Sequence, residues 1–419
     1  MSLAKSLQDI NGRLVINLSG EVLGHANSEL DNYARMRISG EIPQETPCLL
    51  FANPSVILNG VLDLFPGIFE LVSLNPEHKI VADHVANCYP ELTADVGHSS
   101  FKVAPPARGY FFPELIDNQL MYRTDFFDGI YSDTLKHYKR VKATPEAHPL
   151  RLDVPCPAEL QEFVNKSGHP VVVLAQRQEM TSGTKVIAGH EMYRPTLEYL
   201  KDSGYSMVFA GREIMPPEWH KYDVVDYAGS QFANIRNDFH LFRLAKFGVL
   251  PSSGTNALAE TQCLPYIQVN GSNPAIPPFS KNSIMLPSLW ETESSGRLIH
   301  FVAQIRSNLT AGISVPNGLR VRTVSPEDVL LAVQELEVLI DDWQPRSPLQ
   351  EKWVDVGTDY WESKILLDGR TLWQDLKKTT WVDGDEELLS ETNSQSIFSV
   401  AESRVAQGYL ERNHEELFA

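Results

Sequence analysis

Short apolar runs separated by amphipathic stretches set the rhythm of this chain. "RLVINLS" (13–19), "PCLLFANPS" (47–55) and "FELVSLN" (69–75) have the length and composition of buried strands. Between them, "GEVLGHANSELDNYARMR" places Leu30, Tyr33 and Ala34 at helical spacing, and "VILNGVLDLF" reads as a second helix. The stretch from about 90 to 150 is aromatic and irregular and yields no assigned elements. A second alternating set starts near 170. "PVVVLAQR" predicts a strand and "MYRPTLEYLKDSGY" a helix, with Pro195 near its first turn and Gly204 at its end. "SMVFAGR" and "VVDYAGS" predict strands, "NDFHLFRLA" a helix, "KFGVLPSSG" a strand and turn, Thr255 onward a helix, and "LPYIQVN" a strand.

Strands alternating with helices predict parallel α/β layers. Two such sets in series predict two Rossmann-like domains with a cleft between them, spanning 1–150 and 151–310 and joined by a Pro-rich linker within 141–169. Residues 311–419 are expected to form a helical extension packing back across the domains. Its best-marked helix is "SPEDVLLAVQELEVLI", with Ser325 as cap and Glu327 and Asp328 at the positive end of the helix dipole.

Composition narrows the partners. The 419 residues are 42% hydrophobic and 21% charged, with a formal net charge of −18. An acidic surface disfavours nucleic acid and anionic membranes, while a few basic groups in one cleft can still hold a small anion. No run of about 18 apolar residues predicts a membrane span, and "MSLAKSLQDINGRL" has no signal-length apolar core. The expectation is a soluble, cytoplasmic protein. The four cysteines, none in a CxxC, read as buried free thiols of a reducing compartment. The twelve histidines show no HExxH or metal-ligand spacing, and the DxD within "DGDEE" at 383 sits in a charged run that reads as an exposed loop. No metal is expected.

Three features carry candidate chemistry. The first is Pro251-Ser252-Ser253-Gly254-Thr255, a turn of small residues between an apolar strand and a helix. Such a turn leaves backbone N–H groups unbonded at the positive end of a helix and can cradle phosphate. Ser252, Ser253 and Thr255 add hydroxyls, and Gly254 admits close approach. It is not a P-loop, the chain has no GxGxxG, and many such turns bind nothing. The second is Arg177, which directly follows "VVVLAQ" and is expected at the ligand-binding carboxyl edge of the same sheet, two or three strands away. It can fork onto a diphosphate or make a surface ion pair. The third is His25, after Gly24 at the start of a helix, either a general base oriented by Glu29 or Asp31 or a packing residue.

"VVVLAQRQ", "YRPTLEYLKDSGYSMVFAGRE", "VVDYAGS", "NDFHLFRLAKFGVLPSSG" and "FSKNSIMLPSLW" occur in an order that resembles an uncharacterised family of bacterial glycosyltransferases. That family is distantly similar to the nodulation, α-1,6 and protein O-fucosyltransferases. "GHANSELDNYARMR", "NGLRVRTVSPEDVLLAVQELE" and "GYLERNHEELFA" extend the resemblance over about 18–419. It implies a GT-B fold whose second domain holds a GDP- or UDP-linked sugar. It further implies transfer to a glycan or lipid-linked hydroxyl without an obligatory metal or cofactor, by inversion, with self-association left open. Residue by residue, it implies that Arg177 and the Ser252-Ser253-Gly254 turn hold the diphosphate and that Asp226 and Tyr227 lie by the base or ribose. His25 would be the base, and Glu260, by analogy with other GT-B donor sites, would hold ribose hydroxyls. The sequence departs from the family at Ala175, Gln178 and Ser288, each of which replaces a polar group of the expected donor cleft. Those departures favour one alternative, an inactive nucleotide-sugar or glycan-binding protein; a further alternative is a different enzyme on the same fold, such as a nucleotide-sugar epimerase or hydrolase.

Overall fold

The computed structural model describes residues 14–17, isolated helical positions between 27 and 38, and 48–52, 60–65, 69–73, 93–96, 99–103, 112–116, 119–123 and 139–143. Beyond these it describes 155–165, 168–177, 189–271, 277–278, 280–301, 318–358 and 401–418. The chain divides into two compact units, one of 1–155 with 234–239, the other of 156–233 with 240–419.

In the first unit, β1 (Leu14–Asn17), β2 (Cys48–Ala52) and β3 (Phe69–Ser73) form where the apolar runs predict strands. With β4 (Thr93–Val96) and β5 (Ser99–Val103) they build a sheet of order β3-β2-β1-β5-β4, parallel except for the edge strand β4. A hairpin of β6 (Phe112–Ile116) and β7 (Gln119–Arg123) follows. Both β4–β5 and β6–β7 arise in the stretch where the sequence pattern assigned nothing. Asp31 accepts from Arg35 one helical turn on, at 2.9 Å with both side chains buried. His25 lies outside the described residues. Segment 234–239 joins this unit through close packing: a Cβ on Gly60 would lie 2.7 Å from the Ile235 side chain.

The second unit is a doubly wound layer. Its strands are β8 (Val171–Leu174), β9 (Ser206–Phe209), β10 (Val225–Asp226), β11 (Ala245–Pro251), β12 (Tyr266–Gly271), β13 (Ile284–Pro287) and, after the short antiparallel pair β14 (Leu289–Thr292) and β15 (Leu319–Arg322), β16 (Arg404–Val405). The sheet order is β10-β9-β8-β11-β12-β13-β16, with every pairing parallel. Its helices are α1 (Ala158–Val164), α2 (His190–Asp202), the second half of α3 (Ile235–Leu244), whose residues 235–239 belong to the first unit, α4 (Gly254–Thr261), α5 (Pro326–Asp341) and α6 (Gln407–Phe418). The described elements after residue 311, namely β15, α5, β16 and α6, belong to this unit, and β16 is its seventh strand.

Burial explains the residue choice. A parallel strand covered on both faces needs an unbroken apolar run, and Val171–Leu174 are all 3% exposed or less. Each such side chain contributes about 1.5–3 kcal/mol of burial. Beside them Trp219 is fully buried, its ring 5.4 Å from both Tyr193 and Phe209. The Tyr193 hydroxyl donates to the Ala175 carbonyl at 3.1 Å. Ser325 and Asp328 form a capping box at the start of α5, as its sequence predicts, and Gly204 ends the α2 turn with φ +76°. Helix α2 starts at His190, so Pro195 lies inside it and not in its first turn. Cys156 and Cys263 are free thiols, only half-buried, which corrects the expectation of fully buried ones. No described helix is long and apolar enough to cross a membrane.

Candidate functional site

The sheet order fixes where a ligand can sit. From β8 the chain winds outward through β9 and β10, then jumps back to β11 on the other side of β8. Right-handed crossovers then place α2 and α4 on opposite faces. The reversal between β8 and β11 is a topological switch point, and in open α/β sheets the crevice at its carboxyl edge takes the ligand.

The two sequence-predicted anion features meet there. Arg177 follows β8 by three residues, the turn Ser252-Ser253 follows β11 directly, and the strands are immediate neighbours, closer than the two or three strands expected. Arg177 Nη1 donates to the Ser252 carbonyl oxygen at 2.8 Å. Burial draws the Arg177 guanidinium down from its ordinary pKa, opposed by the charge of Glu213 in the loop after β9. It remains a cation.

The turn itself is a helix N-cap. Ser253 is extended (φ −155°, ψ −179°), and its Oγ accepts from the Thr255 N–H at 3.4 Å and faces Thr255 Oγ1 at 2.7 Å. The Asn256 N–H bonds to the Ser253 carbonyl at 3.1 Å. Gly254 is the first helical residue, so its N–H has no intrahelical acceptor. Among the described residues it donates to no other group. Its φ is not left-handed, so what glycine supplies here is an uncovered backbone. Gly211, by contrast, has φ +111°, and a Cβ built on it would lie 3.9 Å from Thr255 Cγ2. The β9 loop therefore runs beside the first turn of α4. Gly211 and Glu213 went unremarked in the sequence pattern, although "AGRE" at a strand end is the kind of signal that marks such a loop.

Other candidates lie elsewhere. Asp226 ends β10 at the same carboxyl edge, two strands out from β8, and its carboxylate accepts from the Gly229 N–H at 2.8 Å within its own turn. Tyr227 is 1% exposed and belongs to the core. Glu260 sits at the far end of α4, where it accepts from the Tyr266 hydroxyl at 2.8 Å. Six residues of helix separate it from Gly254 by about 9 Å, toward the amino edge of the sheet. Of the departures from the family pattern, Ala175 is buried, Ser288 is buried with its hydroxyl unbonded, and Gln178 lies outside the described residues, as does the DxD at 383. No group of three or more His, Cys, Asp or Glu among the described residues is placed to hold a metal.

No family model matches the chain. No curated protein matches it either. Among solved structures it is similar to the ADP-heptose LPS heptosyltransferase II of E. coli, with TM-score 0.45 and 13% identity over 78% of this chain and 99% of that one. A glycosyl transferase family 9 protein from Veillonella parvula gives TM-score 0.45 and 13% identity over 79% and 99%. The dodecameric, iron-containing heptosyltransferase TibC of E. coli, solved with ADP-D-beta-D-heptose, gives 0.45 and 15% over 79% and 78%. Likenesses of this size carry no argument about function, which rests on the site's own geometry.

Proposed function

We propose that the protein is a GT-B glycosyltransferase whose second unit holds a nucleoside-diphosphate sugar at the switch point between β8 and β11. The observation that carries this reading is the convergence of Arg177 and the Ser252–Thr255 turn at one sheet edge, joined at 2.8 Å.

The chemistry follows from the donors present. Breaking the bond from anomeric carbon to phosphate oxygen builds negative charge on the departing diphosphate. The Gly254 N–H, the positive end of α4 and the Arg177 cation are fixed before that charge develops, so stabilising it needs little reorganisation. A guanidinium carries five N–H donors, and the bond to Ser252 uses one of them to hold it in place. One such preorganised donor is worth about 3–4 kcal/mol of barrier. His25 is proposed to deprotonate the acceptor hydroxyl, adding about 10²- to 10⁴-fold. Transfer is proposed to be metal-independent and inverting, to a glycan or lipid-linked hydroxyl.

A second reading is a binding protein without turnover. The apolar Ala175 and the unbonded Ser288 hydroxyl favour it, since polar groups expected at those positions are missing. Thermal shift and nucleotide release with ADP-, GDP-, UDP-, dTDP- and CMP-sugars test both. A ligand at a hundred times its Kd raises stability by about 2.7 kcal/mol. The transferase reading predicts a shift and acceptor-dependent release of nucleotide, both lost in Arg177→Ala. A shift without release supports the binding protein, C2 epimerisation without acceptor supports an epimerase, and no shift with any nucleotide refutes all three.

A further inference from the structure

Two side-chain amides at the carboxyl edge of the second sheet are buried without partners. Asn256, in the first turn of α4, is 6% exposed, and nothing donates to its Oδ1. Gln176, immediately before Arg177, is also 6% exposed, and nothing donates to its Oε1. Buried carbonyl oxygens are normally satisfied by protein or by an ordered partner. These two flank the switch point, one beside the β8 end and one beside the β11 end.

Their chemistry says what is missing. Helical Cα–Cβ bonds tilt toward the N-terminus, so the Asn256 side chain is aimed back toward Gly254, where the diphosphate is proposed to lie. Diphosphate oxygens only accept hydrogen bonds, and Arg177 and the Gly254 N–H already serve them. A carbonyl oxygen needs an O–H or N–H. We propose that the Asn256 amide, with Gln176 at the same edge, accepts a hydrogen bond from a hydroxyl of the nucleotide sugar, so that the site selects a polyol ester of diphosphate over bare diphosphate. This rests on the function proposed above and adds a specificity residue to it.

The test is calorimetric titration of wild type, Asn256→Ala and the near-isosteric Gln176→Met. The probes are the tightest binder among ADP-, GDP- and UDP-hexoses, its free nucleoside diphosphate, and inorganic pyrophosphate. Asn256→Ala is expected to weaken the nucleotide sugar about tenfold, one lost hydrogen bond to a buried amide, and to leave pyrophosphate within about twofold. Loss for the nucleotide sugar alone assigns the hydroxyl to the sugar; loss for the nucleoside diphosphate as well assigns it to the ribose. Gln176→Met is expected to show the same pattern and carries the test if Asn256→Ala does not fold. Unchanged nucleotide-sugar affinity in both variants, or equal loss for pyrophosphate, overturns the inference while leaving the donor site standing. A wild type that binds none of the probes overturns both.

Discussion

Two polar clusters of the seven-stranded sheet, one beside α5 at the amino edge and one at the carboxyl edge, treat their polar groups in opposite ways. In the amino-edge cluster they are paired with one another. Glu337 on α5 accepts from Tyr199 at 2.7 Å and Tyr205 at 2.5 Å, Lys246 meets Asp341 at 3.4 Å, and Glu260 takes the Tyr266 hydroxyl at 2.8 Å. At the carboxyl edge, the Gln176 and Asn256 carbonyl oxygens and the Ser288 hydroxyl are buried without partners. The nearby cation, Arg177, holds a backbone oxygen. Paired polar groups contribute stability, while unpaired buried ones cost it and persist where something outside the fold completes them. The contrast separates a cluster that holds the layer together from the one at which a ligand is proposed to bind.

Substitutions at the two edges should therefore have opposite signatures. The largest effect is expected at Arg177. Arg177→Ala should lower nucleotide-sugar affinity at least tenfold and turnover by about 10²- to 10³-fold, with a melting temperature close to wild type. Steady-state kinetics beside calorimetry reads both. Gly254→Val comes next, because it covers an N–H that donates to no other group among the described residues. It should weaken pyrophosphate and nucleotide sugar alike, and by more than Ser253→Ala. Equal losses for the two variants would mean that the hydroxyl, and not the backbone, touches the ligand.

Amino-edge variants should do the reverse. Glu337→Ala should destabilise the fold by about 1–2 kcal/mol by stranding two tyrosine hydroxyls, and leave nucleotide affinity unchanged. The same pair has a pH signature. Burial, with the Glu337 hydrogen bond and charge, raises Tyr205, and the Glu337 hydrogen bond raises Tyr199. Both hydroxyls stay protonated in the folded chain where an unfolded tyrosine, at about pH 10, has begun to ionise. Their contribution is complete below that pH and is lost as pH rises above it. Urea unfolding of wild type should weaken between pH 9 and about 11, and Glu337→Gln should flatten that slope. The smallest effect is expected at Glu260, where Glu260→Ala should cost about 1 kcal/mol of stability. A clear loss of nucleotide affinity in that variant would restore the ribose role that its position argues against.

Much of this contrast was legible in the chain. "VVVLAQR" and "VLPSSG" are strands that end in chemistry, and local pattern is enough to see that. Their adjacency was not, because strand order depends on the crossover from β10 back past β8, a nonlocal event with no local signature. Glu260 shows a related effect: a helix of eight residues carries the chain from one sheet edge to the other, so nearness in sequence to Gly254 is not nearness in space. Tyr227 looked polar enough for a site, yet tertiary packing buries it. The two-residue β16, more than a hundred residues after β13, is too short to show periodicity. The hairpins between 93 and 123 were hidden by aromatic residues at irregular spacing.

Amide hydrogen exchange, followed by mass spectrometry with and without the tightest-binding nucleotide sugar, tests the central contrast in one experiment. The structure predicts slower exchange on ligand addition in peptides spanning 171–177 and 250–258, with no change in those spanning 199–205 and 332–341. Protection confined to the amino-edge peptides, or no protection at the β8 and β11 ends when the ligand is bound, would contradict it.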